Sequence, residues 1–372
     1  MTDNREMTEL PLNLHEYERA ARARLPKMAF DYMAGGAEDE VTLRDNRAAF
    51  DRWRLLPRVL RGLTQANLAT TVLGQPIALP VVVAPSGFHR LAHQDGELAT
   101  ARAARAVGSI YTRSTGATIT MEEVAPVAGT WWFQLYVYRD RAINRDLVER
   151  AAAAGAAALV VTVDVPVLGR READERNRFT LPPGLSMANV RVSELGRLPV
   201  AVEGSGLTQF VAGGAWEPAL TWSDLEWLAS LSPLPVIPKG ILHPADAVRA
   251  FDHGAQAVIV SNHGGRQLDS AVTALDALPA VVEAVAERGE VLVDGGIRRG
   301  TDVLKALALG ARAVLIGRPI LWGLAVAGET GVTHVLEMLR AELARDFMLC
   351  GLADLAEVER SLLVPAGMPV VR

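Results

Sequence analysis

Cysteine and lysine are the residue types that this chain uses least. Cys350 is the single cysteine among 372 residues, which excludes an internal disulfide and makes a reducing cytoplasm the expected compartment. Lysine occurs only at Lys27, Lys239 and Lys305, so arginine supplies almost all of the positive charge. A lysine at the end of a predicted strand therefore becomes a candidate for a specific role.

Long apolar runs and an excess of positive charge are also missing. The longest apolar run, residues 151–163, is too short to span a bilayer and is closed by Asp164. Residues 1–6 contain no apolar region, so no signal peptide is expected. The net charge of −5 does not suggest nucleic-acid binding. His89 and His93 lie four residues apart without a third ligand nearby, and no metal site is expected.

Short apolar segments rich in β-branched residues recur eight times along the chain. They cover residues 80–84, 109–113, 132–137, 159–163, 235–239, 257–261, 291–294 and 313–316. Stretches with helical spacing lie between most of them, at 96–107, 143–154, 244–252, 275–288 and 301–309. This alternation predicts an α/β fold, a (β/α)8 TIM barrel. A doubly wound sheet is the alternative, but no G-x-G-x-x-G follows the first strand, so a Rossmann nicotinamide site is not expected.

The rest of the chain is expected to extend this barrel into one domain spanning 1–372. Residues 1–80 precede the first strand and contain predicted helices at 14–24 and 41–50, with a turn at 31–40 leading into the second helix. The interval between the fourth and fifth strands is much longer than the others. Residues 171–220 within it are rich in Pro, Gly, Ser and Asn and are predicted to form a lid-like insertion.

Polar residues follow the predicted strands at the end where barrel enzymes carry their active sites. They are Ser86, Ser114, Gln134, Tyr136, Thr162, Asp164, Lys239, Ser261, His263, Arg266, Asp294, Arg298 and Arg318. So many polar side chains on one face of a barrel are difficult to explain as core residues. We therefore expect them to converge on one site.

The motif S-N-H-G-G-R-Q-L-D at 261–269 carries the most specific chemistry. His263 can take a proton, and Arg266 can bind a carboxylate. The two glycines between them permit a sharp turn and the close approach of a flat ligand. Gly296 and Gly317, with Arg298 and Arg318 nearby, follow the last two strands, where barrels build phosphate sites.

Lys239 admits two interpretations from the residues alone. It could form a Schiff base, as in an aldolase barrel. Alternatively, its ammonium could stabilise negative charge on a cofactor.

Five motifs together resemble the FMN-dependent α-hydroxy-acid oxidases and dehydrogenases, the group of glycolate oxidase, lactate oxidase and mandelate dehydrogenase. They are SNHGGRQLD at 261–269, TVDVPVLGRREAD at 162–174, FQLYVYRD at 133–140, DGGIRRGTDVLKALALGA at 294–311 and IGRP at 316–319. The resemblance spans roughly residues 14–360. It implies FMN-dependent oxidation of an L-2-hydroxy acid to the 2-oxo acid, with oxygen or a quinone-type carrier as electron acceptor. It also implies a homo-oligomer, since relatives are commonly tetrameric.

The resemblance also implies roles for individual residues. His263 would be the base, and Asp164 would stabilise its imidazolium. The substrate carboxylate would be bound by Arg266 and Arg171 with help from Tyr32, and its hydroxyl would lie near Tyr136. Lys239 would stabilise the reduced flavin. Further flavin contacts would come from Ala84, Pro85, Ser86, Ser114, Gln134, Thr162 and Ser261, and phosphate contacts from Asp294, Gly296, Arg298, Gly317 and Arg318.

Gly116 is the position that bears on substrate size. Glycolate oxidase has a Trp lining the pocket where this chain has Gly116, and loss of an aromatic wall leaves space for a bulkier substrate. The resemblance therefore predicts an aromatic acid such as mandelate or 4-hydroxymandelate, unless Met33, Phe88 or a loop residue fills the gap. Two other functions remain open: a Schiff-base aldolase or lyase that uses Lys239, and a non-catalytic flavin- or phosphate-binding barrel.

Overall fold

The computed structural model of the protein describes residues 10–190 and 215–368. Its N-terminal part contains the helices α1 Leu14–Arg24, α2 Lys27–Ala34 and α3 Val41–Ala48 and the strands β1 Trp53–Leu55, β2 Thr70–Val72 and β3 Gln75–Ile77. The helices predicted at 14–24 and 41–50 are confirmed, the second ending in a 3-10 turn, Ala49–Arg52. β2 and β3 form an antiparallel hairpin, while β1 pairs with the C-terminal strand β12, Leu363–Pro365.

The turn predicted at 31–40 is wrong over its first four residues, which form the last turn of α2. Phe30 and Met33 pack into the core and hold this helix down. The glycines at 35 and 36, which suggested the turn, instead mark the end of the helix. As a result Tyr32 projects from a helix rather than from a loop.

Eight parallel strands close into a barrel in the order in which the chain makes them, so the predicted (β/α)8 TIM barrel is confirmed. They are β4 Val81–Val83, β5 Tyr111–Ser114, β6 Trp131–Leu135, β7 Leu159–Thr162, β8 Val236–Ile241, β9 Ala257–Val260, β10 Glu290–Asp294 and β11 Ala313–Ile316. Each observed strand starts and ends within two residues of its predicted segment. Strands buried on both faces read as continuous apolar runs, which is why they were easy to find.

Helices follow the strands of the barrel along the chain. They are α4 Gly96–Val107, α5 Met121–Val124, α6 Arg141–Ala153, α7 Glu172–Asn177, α8 Trp222–Ser230, α9 Pro244–Asp252, α10 Ala274–Val285, α11 Gly300–Ala308 and α12 Arg318–Cys350. Gly108 ends α4 in the left-handed conformation that favours glycine. The sequence analysis did not predict α12, which is kinked at Ala327 and Gly328 and packs against α4 and α1. None of the helices within residues 10–190 and 215–368 is long and apolar enough to cross a membrane.

The predicted insertion at 171–220 is described only at its two ends, because residues 191–214 lie outside the described residues. Its first end contains α7. Its other end runs antiparallel to the segment that follows β6: the Arg139 N–H donates to the Ala215 carbonyl (3.0 Å), and the Glu217 N–H donates to the Val137 carbonyl (2.8 Å). These bonds fix the residue between them, Trp216, beside the segment after β6 that carries Tyr136.

Candidate active site

A cleft of about 890 Å³ opens where the barrel strands end. Fourteen of the residues predicted from the sequence line it: Tyr32, Ala84, Pro85, Ser86, Tyr136, Arg171, Lys239, His263, Arg266, Asp294, Gly296, Arg298, Gly317 and Arg318. Six others do not line it but lie buried or half-buried behind it: Ser114, Gly116, Gln134, Thr162, Asp164 and Ser261. Parallel strands bring their carboxyl ends to one face, so residues far apart in sequence meet here.

His263 and Asp164 form a hydrogen-bonded pair in the cleft, with 2.9 Å between His263 Nδ1 and Asp164 Oδ1. Burial lowers the pKa of His263, although the charge of Asp164 opposes this shift. Burial also opposes ionisation of Asp164, but His263 and Lys239 more than compensate and hold the pKa of that carboxyl below its usual range. At neutral pH the pair is therefore a neutral imidazole backed by a carboxylate, a state that can accept a proton at Nε2.

The backbone at His263 is strained. Its φ of +58° lies in the left-handed region, which a residue with a Cβ adopts at a cost of about 1 kcal/mol or more. Gly264 and Gly265 continue the turn at positive φ, where glycine carries no such cost. The His263 N–H donates to Ser261 Oγ at 3.0 Å, which helps to hold the turn and aims the imidazole into the cleft.

Lys239 lies 4 % exposed between two polar partners. Its ammonium donates to Ser261 Oγ at 3.0 Å and pairs with Asp294 at 2.9 Å. Burial opposes its charge, but Asp294 and Asp164 outweigh burial and raise the pKa of Lys239. A fixed cation therefore faces the cleft. The second carboxyl oxygen of Asp294, Oδ1, is buried without a hydrogen-bond partner among the described residues and is available to a ligand.

Arg171 and Arg266 bring two further cations to the cleft. Arg171 is buried, and within residues 10–190 and 215–368 its Nε has no hydrogen-bond partner and its nearest carboxylate, Asp174, is 3.9 Å away. Burial and the neighbouring Arg266 lower the pKa of Arg171 to about 10. Arg266 donates to the Gly35 carbonyl at 2.8 Å, and its guanidinium lies 5.3 Å from the Tyr32 ring centre. Two guanidinium groups with unused donors suit a ligand carboxylate.

The two tyrosines of the cleft are each stacked on an aromatic residue from an end of the insertion. Tyr136 has its hydroxyl 3.4 Å from His263 Nε2 and stacks on Trp216 with ring centres 4.1 Å apart. Tyr32 stacks on Phe179 at 4.3 Å. Burial raises the pKa of both tyrosines, so both hydroxyls stay protonated and can donate. Trp216 and Phe179 were not predicted from the sequence. Two aromatic residues near the ends of an insertion close to the site were a usable signal.

Ser114, Gln134 and Thr162 form a hydrogen-bonded row across three adjacent strands. The Ser114 hydroxyl donates to Gln134 Oε1 and the Gln134 amide donates to Thr162 Oγ1, each at 2.9 Å. All three side chains are buried. The row fixes the orientation of the Gln134 amide, but it does not itself line the cleft.

The other end of the cleft contains two half-buried arginines, whose side chains hydrogen-bond only to carbonyl groups among the described residues. Arg318 donates to the carbonyls of Ala34, Gly35 and Gly264 at 2.9–3.1 Å, and Arg298 donates to that of Ile297 at 2.8 Å. Burial lowers the pKa of Arg318 to about 9 and that of Arg298 to about 10. Cations desolvated in this way attract an anion with several acceptor oxygens, such as a phosphate group.

Gly296 and Gly317 give this end its shape. Gly296 adopts a φ of +80°, and a Cβ there would clash with the Asn46 carbonyl, so glycine is required. Apart from the chain neighbours of Gly317, the only described residue within 4 Å of the position that a Cβ would take is Ala84, at 3.8 Å. The space beside the two arginines therefore remains open for a ligand.

Gly116 lies behind Gly87 rather than on the surface of the cleft. A Cβ on Gly87, which does line the cleft, would lie 3.4 Å from the Gly116 carbonyl oxygen and 3.6 Å from Tyr32 Oη. A Cβ on Gly116 would lie 4.0 Å from the Phe88 ring. The two glycines give this wall no side chain.

Comparisons with known proteins agree with this geometry. Residues 21–365 match the family model described as FMN-dependent dehydrogenase. L-lactate oxidase from Nostoc sp. is 55% identical over 358 residues, which cover 95% of this chain and 98% of that protein. Glycolate oxidase from Spinacia oleracea is 49% identical over 94% of each chain. Among solved structures, mandelate oxidase with (S)-4-hydroxymandelic acid superposes with a TM-score of 0.89 at 46% identity, covering 95% of this chain and 98% of the other.

Proposed function

Because the chain belongs to the FMN-dependent dehydrogenase family and is an FMN enzyme that oxidises 2-hydroxy acids, we propose that its substrate is a bulky or aromatic L-2-hydroxy acid and that oxygen reoxidises the flavin. One observation carries the preference for a bulky acid: Gly87, which lines the cleft, and Gly116 behind it give this wall no side chain. The neutral imidazole backed by a carboxylate, which faces two guanidiniums in the same cleft, supports the 2-hydroxy-acid chemistry. The names of the relatives, which are oxidases, favour oxygen over a quinone-type acceptor.

The residues of the cleft fit FMN. The half-buried cations of Arg298 and Arg318 suit its phosphate, together with the open backbone at Gly317. The unpaired carboxyl oxygen of Asp294 suits a ribityl hydroxyl, and the Lys239 ammonium suits the electron-rich edge of the flavin ring. When bound, FMN accepts the two electrons that leave the substrate carbon.

The residues of the other half of the cleft suit the hydroxy acid. Arg171 and Arg266 bind its carboxylate, with the Tyr32 hydroxyl as a further donor. Tyr136 hydrogen-bonds to its hydroxyl beside His263. His263 Nε2 takes the proton that leaves the substrate, and the negative charge of Asp164 stabilises the resulting imidazolium. His263 performs this role whether the proton comes from the hydroxyl oxygen or from the α-carbon.

Lys239 is poorly suited to the alternative Schiff-base chemistry. A Schiff-base lysine needs a free amine, which proteins obtain by lowering the pKa of the ammonium. Here Asp294 and Asp164 raise the pKa of Lys239. The lysine is therefore held as a cation, which favours charge stabilisation over attack on a carbonyl.

Anaerobic bleaching of the yellow enzyme tests substrate class and acceptor together. We expect (S)-mandelate to bleach the visible absorbance faster than L-lactate or glycolate, and air to restore the colour. A higher kcat/KM for glycolate than for mandelate contradicts the preference for aromatic acids. Bleaching that air does not reverse contradicts the choice of oxygen.

Gly116→Trp tests the origin of the preference. An indole at this position would fill the space next to Gly87 and Phe88. We expect kcat/KM for mandelate to fall by roughly 10-fold or more while that for glycolate changes little, since apolar pocket contacts discriminate by about 1–3 kcal/mol. Gly116→Ala is the matched control, because its Cβ makes only ordinary van der Waals contacts. Equal losses for both substrates in Gly116→Trp would assign the effect to general distortion.

A further inference from the structure

Gln267 uses its whole side-chain amide to bind the loop that follows β7. Its Nε2 donates to the carbonyls of Asp164 and Val167, both at 2.9 Å, and its Oε1 accepts from the Gly169 N–H at 3.1 Å. The residue is 9 % exposed. One amide thus satisfies three backbone groups within six residues of the neighbouring loop.

The two loops joined by Gln267 carry the acid–base pair and both carboxylate-binding arginines. The β7 loop carries Asp164 and Arg171, and the β9 loop carries His263 and Arg266. Catalysis requires that these four groups keep one mutual geometry, although they come from two separate loops. Gln267 is the side chain that bonds one loop to the backbone of the other.

Close backbone packing strengthens the same junction. A Cβ on Gly169 would lie 2.6 Å from the Cα of Gln267 and would also clash with the Arg266 carbonyl. The loops therefore touch at a point where only glycine fits.

Asp164 is restrained on three sides by these contacts. Its carbonyl accepts from Gln267, its carboxylate bonds to His263, and its Cβ and Cγ lie 2.5 Å from the position that a Cβ on Gly240 would take. Gly240 itself adopts a φ of +112° beside the irregularity in β8. The Gln267 bond is the restraint that comes from the loop bearing Arg266.

We propose that Gln267 is a positioning residue. It holds Asp164 behind His263, and it keeps Arg171 and Arg266 close enough together to bind the same carboxylate. The proposal rests on the proposed function, because it concerns the same base and the same arginines. Gln267 touches neither reacting atom and acts through the two loops.

Gln267→Met and Gln267→Glu test this role. Methionine keeps the length of the side chain but makes none of the three bonds, while glutamate keeps only the acceptor and places a charge against two carbonyl oxygens. We expect kcat/KM for the best 2-hydroxy acid to fall by about 10²-fold, the loss typical of a misplacement of about 1 Å. Gly169→Ala, which pushes the same loops apart without altering Gln267, is expected to act in the same direction.

Two further readouts separate positioning from a loss of stability. Asp164 raises the pKa of His263, so a displaced Asp164 should move the acidic limb of kcat/KM to lower pH. The dissociation constant of oxalate, measured by titration of the protein's tryptophan fluorescence, should rise about 10-fold or more, because the two arginines no longer share one carboxylate. Gln256→Met is the matched control, since the Gln256 amide accepts from the Val236 N–H at the other end of the barrel.

The measurements distinguish failure of the proposed function from failure of the positioning role. Wild-type protein that oxidises no 2-hydroxy acid contradicts the proposed function and not the loop contact. If the wild type is active, a lower Tm in the Gln267 variants with an unchanged acidic limb and unchanged oxalate affinity overturns the positioning role. The same holds if Gln256→Met shifts both readouts as far as Gln267→Met does.

Discussion

At the scale of single residues, the site depends on charges that are buried next to one another. His263 is kept neutral by burial, and Asp164 is kept ionised by His263 and Lys239. Each group alone would be expensive to bury, but together they compensate. Because the charges depend on one another, removing one of them is expected to change the pKa of His263.

Asp164→Asn removes the charge behind the base and keeps the shape. We expect kcat to fall by roughly 10²- to 10⁴-fold, because the imidazolium formed during turnover loses its counter-charge. Asp164 raises the pKa of His263, so this pKa should fall in the variant and the acidic limb of kcat/KM should move to lower pH. The measurement is a pH–rate profile. Asp252→Asn, which breaks an ion pair with Arg288 outside the cleft, is the control. An acidic limb that stays in place would rule out this electrostatic role.

At the scale of elements, the insertion after β7 supports the cleft from both of its described ends. Phe179 supports Tyr32, and Trp216 supports Tyr136. Trp216, Tyr136 and His263 form a row in which successive ring planes differ by 18°. Backbone bonds to the segment after β6 fix the position of Trp216. The insertion therefore acts on Tyr136 by stacking.

Trp216→Leu tests this support. An aromatic pair contributes about 0.5–1.5 kcal/mol beyond its buried area, so we expect kcat/KM to fall roughly 2- to 10-fold as Tyr136 loses its preferred orientation. Trp222→Leu is the matched control, because Trp222 is nearby in sequence but stacks on His253 on the outside of the barrel. In a Tyr136→Phe background, Trp216→Leu should reduce kcat/KM less, because the tyrosine hydroxyl that Trp216 positions is already absent. Fully additive losses would mean that Trp216 acts elsewhere.

At the scale of the whole molecule, ligand anchoring links the N-terminal segment to the barrel. Arg318, at the end of β11, donates to carbonyls at the C-terminus of α2 and to Gly264 after β9. FMN bound at this end should therefore stabilise the fold as a unit. The expected homo-oligomer and the expected cytoplasmic location remain predictions.

Arg318→Leu should weaken FMN binding and the stability that FMN confers. A ligand at 100 times its Kd adds about 2.7 kcal/mol to the free energy of unfolding, so Tm of the wild type should rise with added FMN. In the variant the rise should require at least 10-fold more FMN. Arg312→Leu is the control, because Arg312 precedes β11 and binds Thr71 and Glu290 at the opposite end of the barrel. If Tm depends on FMN concentration in the same way in both variants, Arg318 does not bind the phosphate.

The repeated strand pattern shows how far local sequence determines this fold. The strands were predictable within two residues because segments buried on both faces must be apolar. The turn predicted at 31–40 failed over residues 31–34 because the apolar face of α2 gains its stability from packing against α7, α1 and α12, which the local sequence does not reveal. The helix α12 was missed, and its kink at Ala327 and Gly328 interrupts the helical period.

The sequence by itself determined the barrel and the identity of the residues at the strand ends, because strand spacing and residue type follow from burial. The FMN class came from the resemblance of five motifs to a known family. Only the tertiary structure decided which residues line the cleft and that Gly116 lies behind Gly87. It also decided that Gln267 bonds the loop after β7, and that Trp216 and Phe179 stack on Tyr136 and Tyr32. These are contacts between loops far apart in the chain. Closure of the barrel determines which loops come into contact, and no local sequence pattern predicts this.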